Sequence, residues 1–137
     1  MITIPWTSTN SPRPATLTQV SRLELARARD VPGFLIAALR IRRATLNAPG
    51  AVGLSLRAAP MSRTFWTLSS WSEREAITAF VTSEAHTAVM TRYRDKMAGS
   101  HFHTWTETEP TDSPPTWADA VQRYDSAVDR PADSRRE

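Results

Sequence analysis

The chain has 137 residues, a formal net charge of +3 at neutral pH and no cysteine. A chain of this length forms one domain with a hydrophobic core of its own. The absence of cysteine excludes disulfides, thiolate zinc sites, iron–sulfur clusters and cysteine nucleophiles.

Charge and hydropathy also limit the partners that we expect. Sixteen of the seventeen basic residues are arginine, and the fourteen acidic residues are interleaved with them along the chain. Because no segment concentrates positive charge into a phosphate-binding stripe, we expect no nucleic-acid partner. The longest apolar run, residues 34–39, is too short to cross a bilayer, and residues 1–14 lack the features of a signal peptide. We therefore expect no membrane partner and a cytoplasmic location.

The predicted elements begin after an N-terminal lead-in. Residues 1–14 contain three prolines among Ser, Thr and Asn, and this composition predicts an extended or irregular segment. Thr16–Leu25 alternates in a β-rich sequence, which predicts the first strand. Pro32–Leu46 has apolar residues at helical spacing and is followed by Pro49-Gly50, so it predicts a helix that ends before them.

The rest of the chain continues to alternate between strand and helix patterns. The second and third strands are joined by a short turn, which favours an antiparallel hairpin. In chain order the remaining predicted elements are strands at Ala51–Ala58 and Arg63–Trp71, helices at Glu73–Val81 and Ser83–Met97, a strand at Ser100–Thr106 and a helix at Trp117–Val128. Residues 129–137 are polar and are predicted to form a flexible tail.

The order strand, helix, strand, strand, helix, strand is the split βαβ pattern. It predicts an α+β fold of ferredoxin-like βαββαβ layout, with a four-stranded antiparallel sheet in a single domain over residues 15–128. Two helices on one face of such a sheet leave the other face bare, although apolar and aromatic residues occupy both faces of the strands. We therefore expect a second copy of the chain to cover the bare face in a homodimer.

Residues 64–107 carry a resemblance to a known superfamily. The segment has a strand that ends in Trp71, a Ser-Glu-Arg helix start, Phe80, the run Ser-Glu-Ala-His at residues 83–86 and a strand rich in aromatics. It resembles the dimeric α+β barrel superfamily that includes the antibiotic biosynthesis monooxygenases, and in particular an uncharacterised bacterial branch. The spacing of Trp, Phe and His is also similar to that of the spheroidene monooxygenases, which are haem proteins.

The resemblance implies a homodimer in which two sheets form a barrel, with a pocket between helices and sheet in each subunit. It also implies a range of chemistries, from cofactor-free oxygenation of aromatic polyketides to haem degradation. The haem-degrading members carry a Trp and a His at positions that fall on Phe80 and Met90 here. The match to haem degradation therefore fails, and the resemblance implies the fold more strongly than the reaction.

His86 is the candidate catalytic residue. On the helix that follows Ser83 it lies in line with Met90, Tyr93 and Met97, so it belongs to the apolar face that packs towards the sheet. An imidazole there can act as general base towards a phenol or enol, or as an axial ligand to haem iron. The alternative is a core histidine that is hydrogen-bonded to a backbone carbonyl or a tyrosine.

His101, His103 and Trp105 share one face of the last predicted strand, because side chains alternate along a strand. Two histidines can begin a metal site, but spacing places no third ligand beside them. We therefore predict no metal here and interpret this face as the polar wall of a cavity.

A larger set of residues is predicted to contact the substrate. Aromatic residues on strands are most often core or dimer interface, yet they can also form a wall that stacks on a planar ligand. The predicted substrate-binding residues are Arg22, Trp66, Trp71, Phe80, Met90, Tyr93, His101, His103 and Trp105.

Three functions remain open at this point. The first is a monooxygenase-like enzyme of secondary metabolism, which requires no cofactor and acts on a hydrophobic aromatic or conjugated metabolite with His86 as base. The second adds haem, with His86 as the iron ligand. The third is a dimer that binds a small apolar molecule without catalysis.

Overall fold

The computed structural model describes residues 1–9 and 13–128. The strands are β1 (Ile2–Ser8), β2 (Ala15–Leu25), β3 (Ala51–Ala59), β4 (Thr64–Trp71) and β5 (Met97–Thr111). The α-helices are α1 (Val31–Leu46), α2 (Arg74–Val81), α3 (Glu84–Tyr93) and α4 (Trp117–Val128). Short 3₁₀ turns at Ala28–Asp30, Pro60–Ser62 and Arg94–Lys96 lead into α1, β4 and β5. The tail predicted at residues 129–137 lies outside the described residues.

The strands form one antiparallel sheet in the order β1-β3-β4-β2-β5. β2 and β4 are central: β2 pairs with β4 from Leu17 to Glu24, and with β5 from Ala15 to Leu25. The helices lie between strands in the order that the sequence predicts. The α+β class and the ferredoxin-like layout are therefore confirmed.

The predicted number of four strands was wrong, because half of the predicted lead-in is a fifth strand. Ile2–Ser8 pairs with β3 at the edge of the sheet, with a register shift between Ile4 and Thr7. Pro5 lies inside that shift, where its missing N–H removes no ladder hydrogen bond. Pro5 therefore made this segment look irregular in the sequence, although an edge strand accommodates a proline at this position.

The boundary between the last predicted helix and strand also differs. α3 ends at Tyr93, and the chain passes through a 3₁₀ turn into β5, which starts at Met97. The N–H of Ala26 donates a hydrogen bond to the carbonyl of Lys96 at 2.9 Å, so the chain is already tied to the end of β2 at this point. Met97 consequently belongs to the sheet and not to the helix that carries His86.

The face of the sheet that carries α1, α2 and α3, here called the helix side, has an apolar cluster at each end. The first cluster joins strand residues to α1 and α3 and includes Leu23, Leu25, Phe34, Phe65 and Tyr93. The second joins strand residues to α2 and includes Leu17, Ala51, Trp71, Ala76 and Ile77. These clusters attach the three helices to the sheet by burial of apolar surface.

The opposite face, here called the α4 side, is covered by the chain's own C-terminal helix. Ala120 and Tyr124 of α4 pack in one cluster with Val20, Leu68 and Trp105 of the strands. Val20 and Leu68 are both 0% exposed. The expectation of a bare second face was therefore wrong, because the sequence pattern does not show that the C-terminal helix packs on that face. The homodimer itself stays a prediction.

Leu68→Ala is expected to lower the free energy of unfolding by about 2–5 kcal/mol, the usual cost of truncating a fully buried leucine. Urea unfolding followed by circular dichroism measures the change. Leu39→Ala is the matched control, because Leu39 on α1 is 53% exposed. It is expected to change the free energy by no more than about 0.5 kcal/mol. Equal losses in the two variants would contradict the packing of α4 on this face.

Candidate functional site

His86 lies at the start of α3, in a turn that Ser83 fixes. Ser83 is the N-cap of this helix, and its hydroxyl oxygen accepts a hydrogen bond from the backbone N–H of His86 at 3.4 Å. The imidazole is half-buried, and its buried Nδ1 makes no hydrogen bond of normal geometry among residues 1–9 and 13–128, although the ring interacts with the backbone of Val81. Buried polar atoms are rarely left unpaired, so this nitrogen is a candidate for contact with a ligand.

An aromatic run leads from His86 to the sheet. The ring centroids of His86 and Phe80 are 5.5 Å apart in an edge-to-face contact, and those of Phe80 and Trp71 are 5.4 Å apart. Trp71 is buried, and its indole Nε1–H donates a hydrogen bond to Ser69 Oγ at 2.9 Å. We call His86, Phe80 and Trp71 the aromatic wall. It brings together three of the residues that the sequence proposed for the site.

The surroundings of His86 favour the neutral imidazole. Burial lowers the pKa of this side chain below its usual 6.5, and the backbone of Val81 opposes the shift to a smaller extent. The ring is therefore uncharged at neutral pH. A neutral imidazole is the form that can accept a proton as general base.

Between its two apolar clusters, the helix side of the sheet is polar along β2 and β4, whereas β3 carries the buried Leu54 and Leu56 in the same rows. One row of paired residues crosses β5, β2 and β4 at Thr104, Gln19 and Ser69. The next row crosses the same strands at Phe102, Ser21 and Thr67, and the hydroxyls of Ser21 and Thr67 are hydrogen-bonded to each other. We call the five polar residues of these rows the polar floor: Gln19, Ser21, Thr67, Ser69 and Thr104.

The helices leave the polar floor partly open. α1 packs mainly on β3, α2 on β4 and α3 on α1, so helix packing is concentrated away from the middle of β2 and β5. Four floor residues are only half-buried, and Phe102 beside them is 63% exposed. The fifth, Ser69, is buried and bonded to Trp71. Floor and aromatic wall therefore form one continuous surface of hydroxyls and rings.

The polar floor is the part of the site that the sequence analysis missed. Gln19 and Ser21 share one face of β2 with Leu17, Leu23 and Leu25, so the helix-facing positions read apolar, polar, polar, apolar, apolar. Polar residues in the middle of a face that should be core are typical of a ligand or water contact. That interruption was visible in the sequence and could have identified the floor.

Of the grooves on the surface of the described residues, two lie close to predicted site residues. The larger has a volume of about 410 Å³, lies between the end of α1 and the α2–α3 corner, and is lined in part by Ala44, Ala48, Ala76, Phe80 and Ala85. The smaller has a volume of about 290 Å³ and lies between α4 and β5. His86 lines neither of them. Because Phe80 belongs to both the larger groove and the aromatic wall, an apolar group in that groove would contact the wall.

Five predicted substrate-binding residues lie on the α4 side, across the sheet from His86. The Arg22 guanidinium lies 5.8 Å from the centre of the Trp66 ring, which packs edge-on against Tyr124 at 5.0 Å. His103 stacks on Trp105 with centroids 5.9 Å apart. The residues separated in this way from the aromatic wall are Arg22, Trp66, His101, His103 and Trp105.

The remaining predicted residues are on α3. Tyr93 is 4% exposed and packs edge-on against Phe34 at 5.0 Å, so it belongs to the core cluster beneath α1. Met90 is half-buried one turn after His86. Within the part of the chain that the structure describes, no three His, Asp or Glu side chains are grouped closely enough to hold a metal ion.

Comparison with protein families places the sequence. The model of the family described as Domain of unknown function (DUF3291) matches residues 2–130. The chain belongs to that family. Among curated proteins, none matches this DUF3291 chain significantly.

Solved structures similar to the DUF3291 chain include one protein described as an oxygenase and others described as proposed monooxygenases. A proposed monooxygenase from Lactobacillus acidophilus has a TM-score of 0.64 at 12% identity, covering 80% of this chain and 52% of that one. A proposed antibiotic biosynthesis monooxygenase from Nitrosomonas europaea has a TM-score of 0.63 at 13% identity, covering 74% and 98%. SnoaB, described as a cofactor-independent oxygenase from Streptomyces nogalater, has a TM-score of 0.57 at 17% identity, covering 72% and 99%.

These likenesses confirm the fold of the antibiotic biosynthesis monooxygenases for the DUF3291 chain. Identities of 12–17% establish the fold alone, because one fold serves many reactions. The chain spans about half the length of the Lactobacillus protein. The similarity to the spheroidene monooxygenases stays a prediction. None of the described helices is long and apolar enough to cross a membrane.

The lowered pKa of His86 predicts a loss of stability in acid. The unfolded chain protonates this imidazole as the pH falls through 6.5, whereas the folded chain resists protonation until a lower pH. Because the unfolded state then binds more protons, the free energy of unfolding decreases as the pH falls below that value. Urea unfolding at about pH 7.5 and about pH 5.5 measures the decrease, which is expected to be smaller in His86→Gln than in the wild type.

His101→Gln provides the control for this comparison, because His101 is exposed. It is expected to show the wild-type decrease between the two pH values. If His86→Gln lost as much stability in acid as the wild type, His86 would not be buried in its neutral form.

Proposed function

We propose that the chain is a monooxygenase-like enzyme that acts without a cofactor on a hydrophobic, aromatic or conjugated small metabolite, with His86 as general base. The observation that carries this proposal is the neutral imidazole at the end of the aromatic wall, whose buried Nδ1 makes no hydrogen bond of normal geometry in the described chain and has only the backbone of Val81 beside the ring to oppose the effect of burial. The fold shared with SnoaB, a cofactor-independent oxygenase, supports the reaction class. The antibiotic biosynthesis name of another neighbour supports a role in secondary metabolism, and we propose a homodimer as the working form.

The aromatic wall and the polar floor suit a planar molecule that carries oxygen atoms. Phe80 and Trp71 offer rings for edge or offset contacts with a conjugated system. Ser21 and Thr67 are hydrogen-bonded to each other, so one hydroxyl of this pair, together with the amide of Gln19, can donate hydrogen bonds to phenolate or carbonyl oxygens. The groove beside Phe80 has room for an apolar substituent. The combination selects for molecules that are apolar at one edge and oxygenated at the other.

The proposed reaction begins with proton transfer to His86. The neutral imidazole removes a proton from an acidic CH₂ group, and the carbanion is delocalised over the conjugated system. The carbanion passes one electron to O₂, and the resulting radical and superoxide combine into a peroxide. The peroxide loses water as the second C–H proton leaves, so CH₂ becomes C=O. One oxygen atom of O₂ enters the product and the other leaves as water, and the four electrons come from the substrate.

We propose that His86 does not ligate haem. A haem ligand must lie on the wall of a cavity that admits the porphyrin. His86 lines neither of the two grooves, and its ring packs against Phe80. The haem-dependent alternative is tested by adding hemin to the purified chain. We expect the spectra of the wild type and of His86→Gln with hemin to be the same, with no Soret band that depends on His86.

The apolar groove beside Phe80 favours a second candidate function, the binding of a small apolar molecule without catalysis. Its walls are mostly alanine side chains and the Phe80 ring, and Glu73 and Glu75 are its charged members. Such a groove can hold a ligand through apolar contact alone. Oxygen consumption distinguishes the two functions, because only the enzyme uses O₂.

The probe 1,8-dihydroxyanthrone tests the proposal, since it is planar, oxygenated and carries an acidic CH₂ group. The wild-type chain is expected to consume O₂ and to form the corresponding anthraquinone. His86→Gln is expected to lower kcat/KM by about 10²–10⁴, the usual contribution of a positioned general base. An oxygen electrode and the absorbance spectrum of the product measure the rate against the uncatalysed background.

His101→Gln is the control for this assay as well, because His101 lies on the α4 side of the sheet. It is expected to keep the wild-type rate. Turnover by His86→Gln at the wild-type rate would refute the role of the base. If the wild type bound the probe but did not accelerate O₂ consumption, the enzymatic function would be refuted and the non-catalytic binding function favoured.

A further inference from the structure

The fold gathers basic residues that the sequence spreads out. Three segments that are distant in sequence meet at one end of the sheet: residues 27–30 before α1, residue 63 before β4, and residues 92–96 from the end of α3 to β5. Together they carry six cationic side chains. These are Arg27, Arg29, Arg63, Arg92, Arg94 and Lys96. We call this part of the surface the basic end.

Hydrogen bonds hold the three segments together. The N–H of Leu25 donates to the carbonyl of Arg63 at 2.9 Å, and the N–H of Ala26 donates to the carbonyl of Lys96 at 2.9 Å. The Nε–H of Arg63 donates back to the carbonyl of Leu25 at 3.0 Å. Arg63 has a φ of 56°, a left-handed conformation that side chains other than glycine rarely adopt. The basic end is therefore built by fixed backbone contacts.

The positive charge of the basic end is not neutralised by neighbours. Four of its six cations are exposed, and none of the six forms an ion pair with another residue of the described chain. The acidic residues in the same segments are Asp30 and Asp95. The excess of cations makes this end attractive to a dense negative charge.

The opposite end of the sheet carries both signs of charge. Around the start of α2 and the end of β5 lie five acidic residues, Glu73, Glu75, Glu107, Glu109 and Asp112, together with Arg13 and Arg74, and Arg13 is ion-paired with Glu73. Cations therefore outnumber acidic residues at the basic end but not at this one. An anionic surface would orient the molecule with its basic end inward.

Exposed apolar side chains occur at the basic end as well. Met61, in the turn between β3 and β4, is 97% exposed, and Ile2 is 57% exposed. Ile2 pairs with Ala58, so β1 starts at the end where this turn lies. Apolar side chains that protrude among basic residues are typical of proteins that enter the interface of an anionic membrane.

We propose that the basic end docks on a membrane surface that contains anionic phospholipid. Met61 and Ile2 enter the headgroup region, and the arginines lie against lipid phosphates, for which the guanidinium geometry is well suited. This attachment requires no membrane-spanning helix. Nucleic acid is a poorer match, because the described residues of this end expose no aromatic side chain on which a base could stack.

Co-sedimentation with vesicles tests the proposal. The full chain is expected to bind vesicles of phosphatidylcholine and phosphatidylserine, to ignore vesicles of phosphatidylcholine alone, and to bind less as salt is added. Each basic residue near such a surface contributes about fivefold to affinity. The double variant Arg27→Gln, Arg94→Gln is therefore expected to bind about 25-fold more weakly. Met61→Ser is also expected to weaken binding.

Two matched controls separate the basic end from general charge and apolarity. Arg40→Gln, Arg43→Gln removes two exposed arginines from the far half of α1, and Leu39→Ser removes an exposed apolar side chain of the same helix. Both are expected to bind as the wild type does. Equal weakening in the controls, or no binding to anionic vesicles, would overturn the proposal. A third outcome is possible: the chain does not bind vesicles but binds a labelled oligonucleotide, and among the variants only Arg27→Gln, Arg94→Gln loses that binding. This outcome would assign the surface to nucleic acid instead.

Discussion

The alternation of side chains along β2 and β4 is the constraint on which the rest of the structure depends. These central strands send side chains to two faces that are closed in different ways. On the α4 side, Val20 and Leu68 are completely buried and pack in one cluster with the C-terminal helix. On the helix side, apolar residues occur only at the two ends, and the three helices gather over them. The polar floor between these ends stays partly open, because β2 and β4 offer no apolar side chain there to attach a helix, and we propose that a ligand occupies it.

The same constraint determines the state of His86. Its helix is anchored to the core through Tyr93, and Ser83 fixes the first turn, so the imidazole lies half-buried against Phe80. Burial keeps the ring neutral. A histidine that loses its charge on folding weakens the protein in acid, and it is also a base that is ready to accept a proton at neutral pH. Burial of His86 therefore causes both the loss of stability in acid and the readiness of the ring to accept a proton. We propose that stability and chemistry are linked at this single side chain.

Much of the fold could be predicted from the sequence, because period-two and helical spacing report directly which residues are buried. β2, α1, β3, β4 and α2 lie where the patterns place them. β1 was hidden by Pro5, and the cover that α4 provides could not be found, since periodicity identifies an apolar face but not what packs on it. For the site, the sequence predicted that His86 lies on the apolar face of its helix, towards the sheet, and in the structure its ring contacts Phe80. It could not tell which aromatic strand residues share a face with that helix, because this depends on the register between strands and on where each helix crosses them. The basic end could not be predicted from the sequence either, because its segments are distant along the chain and are brought together only by hydrogen bonds in the fold.

We propose that a ligand binds on the helix side of the sheet and not on the α4 side. The most direct measurement is a titration of the ¹⁵N-labelled chain with 1,8-dihydroxyanthrone under argon, followed by the backbone amide shifts. We expect the amides of the polar floor, Phe80 and His86 to change first. Changes confined to His101, His103 and Tyr124 would contradict it and would place the ligand beneath α4.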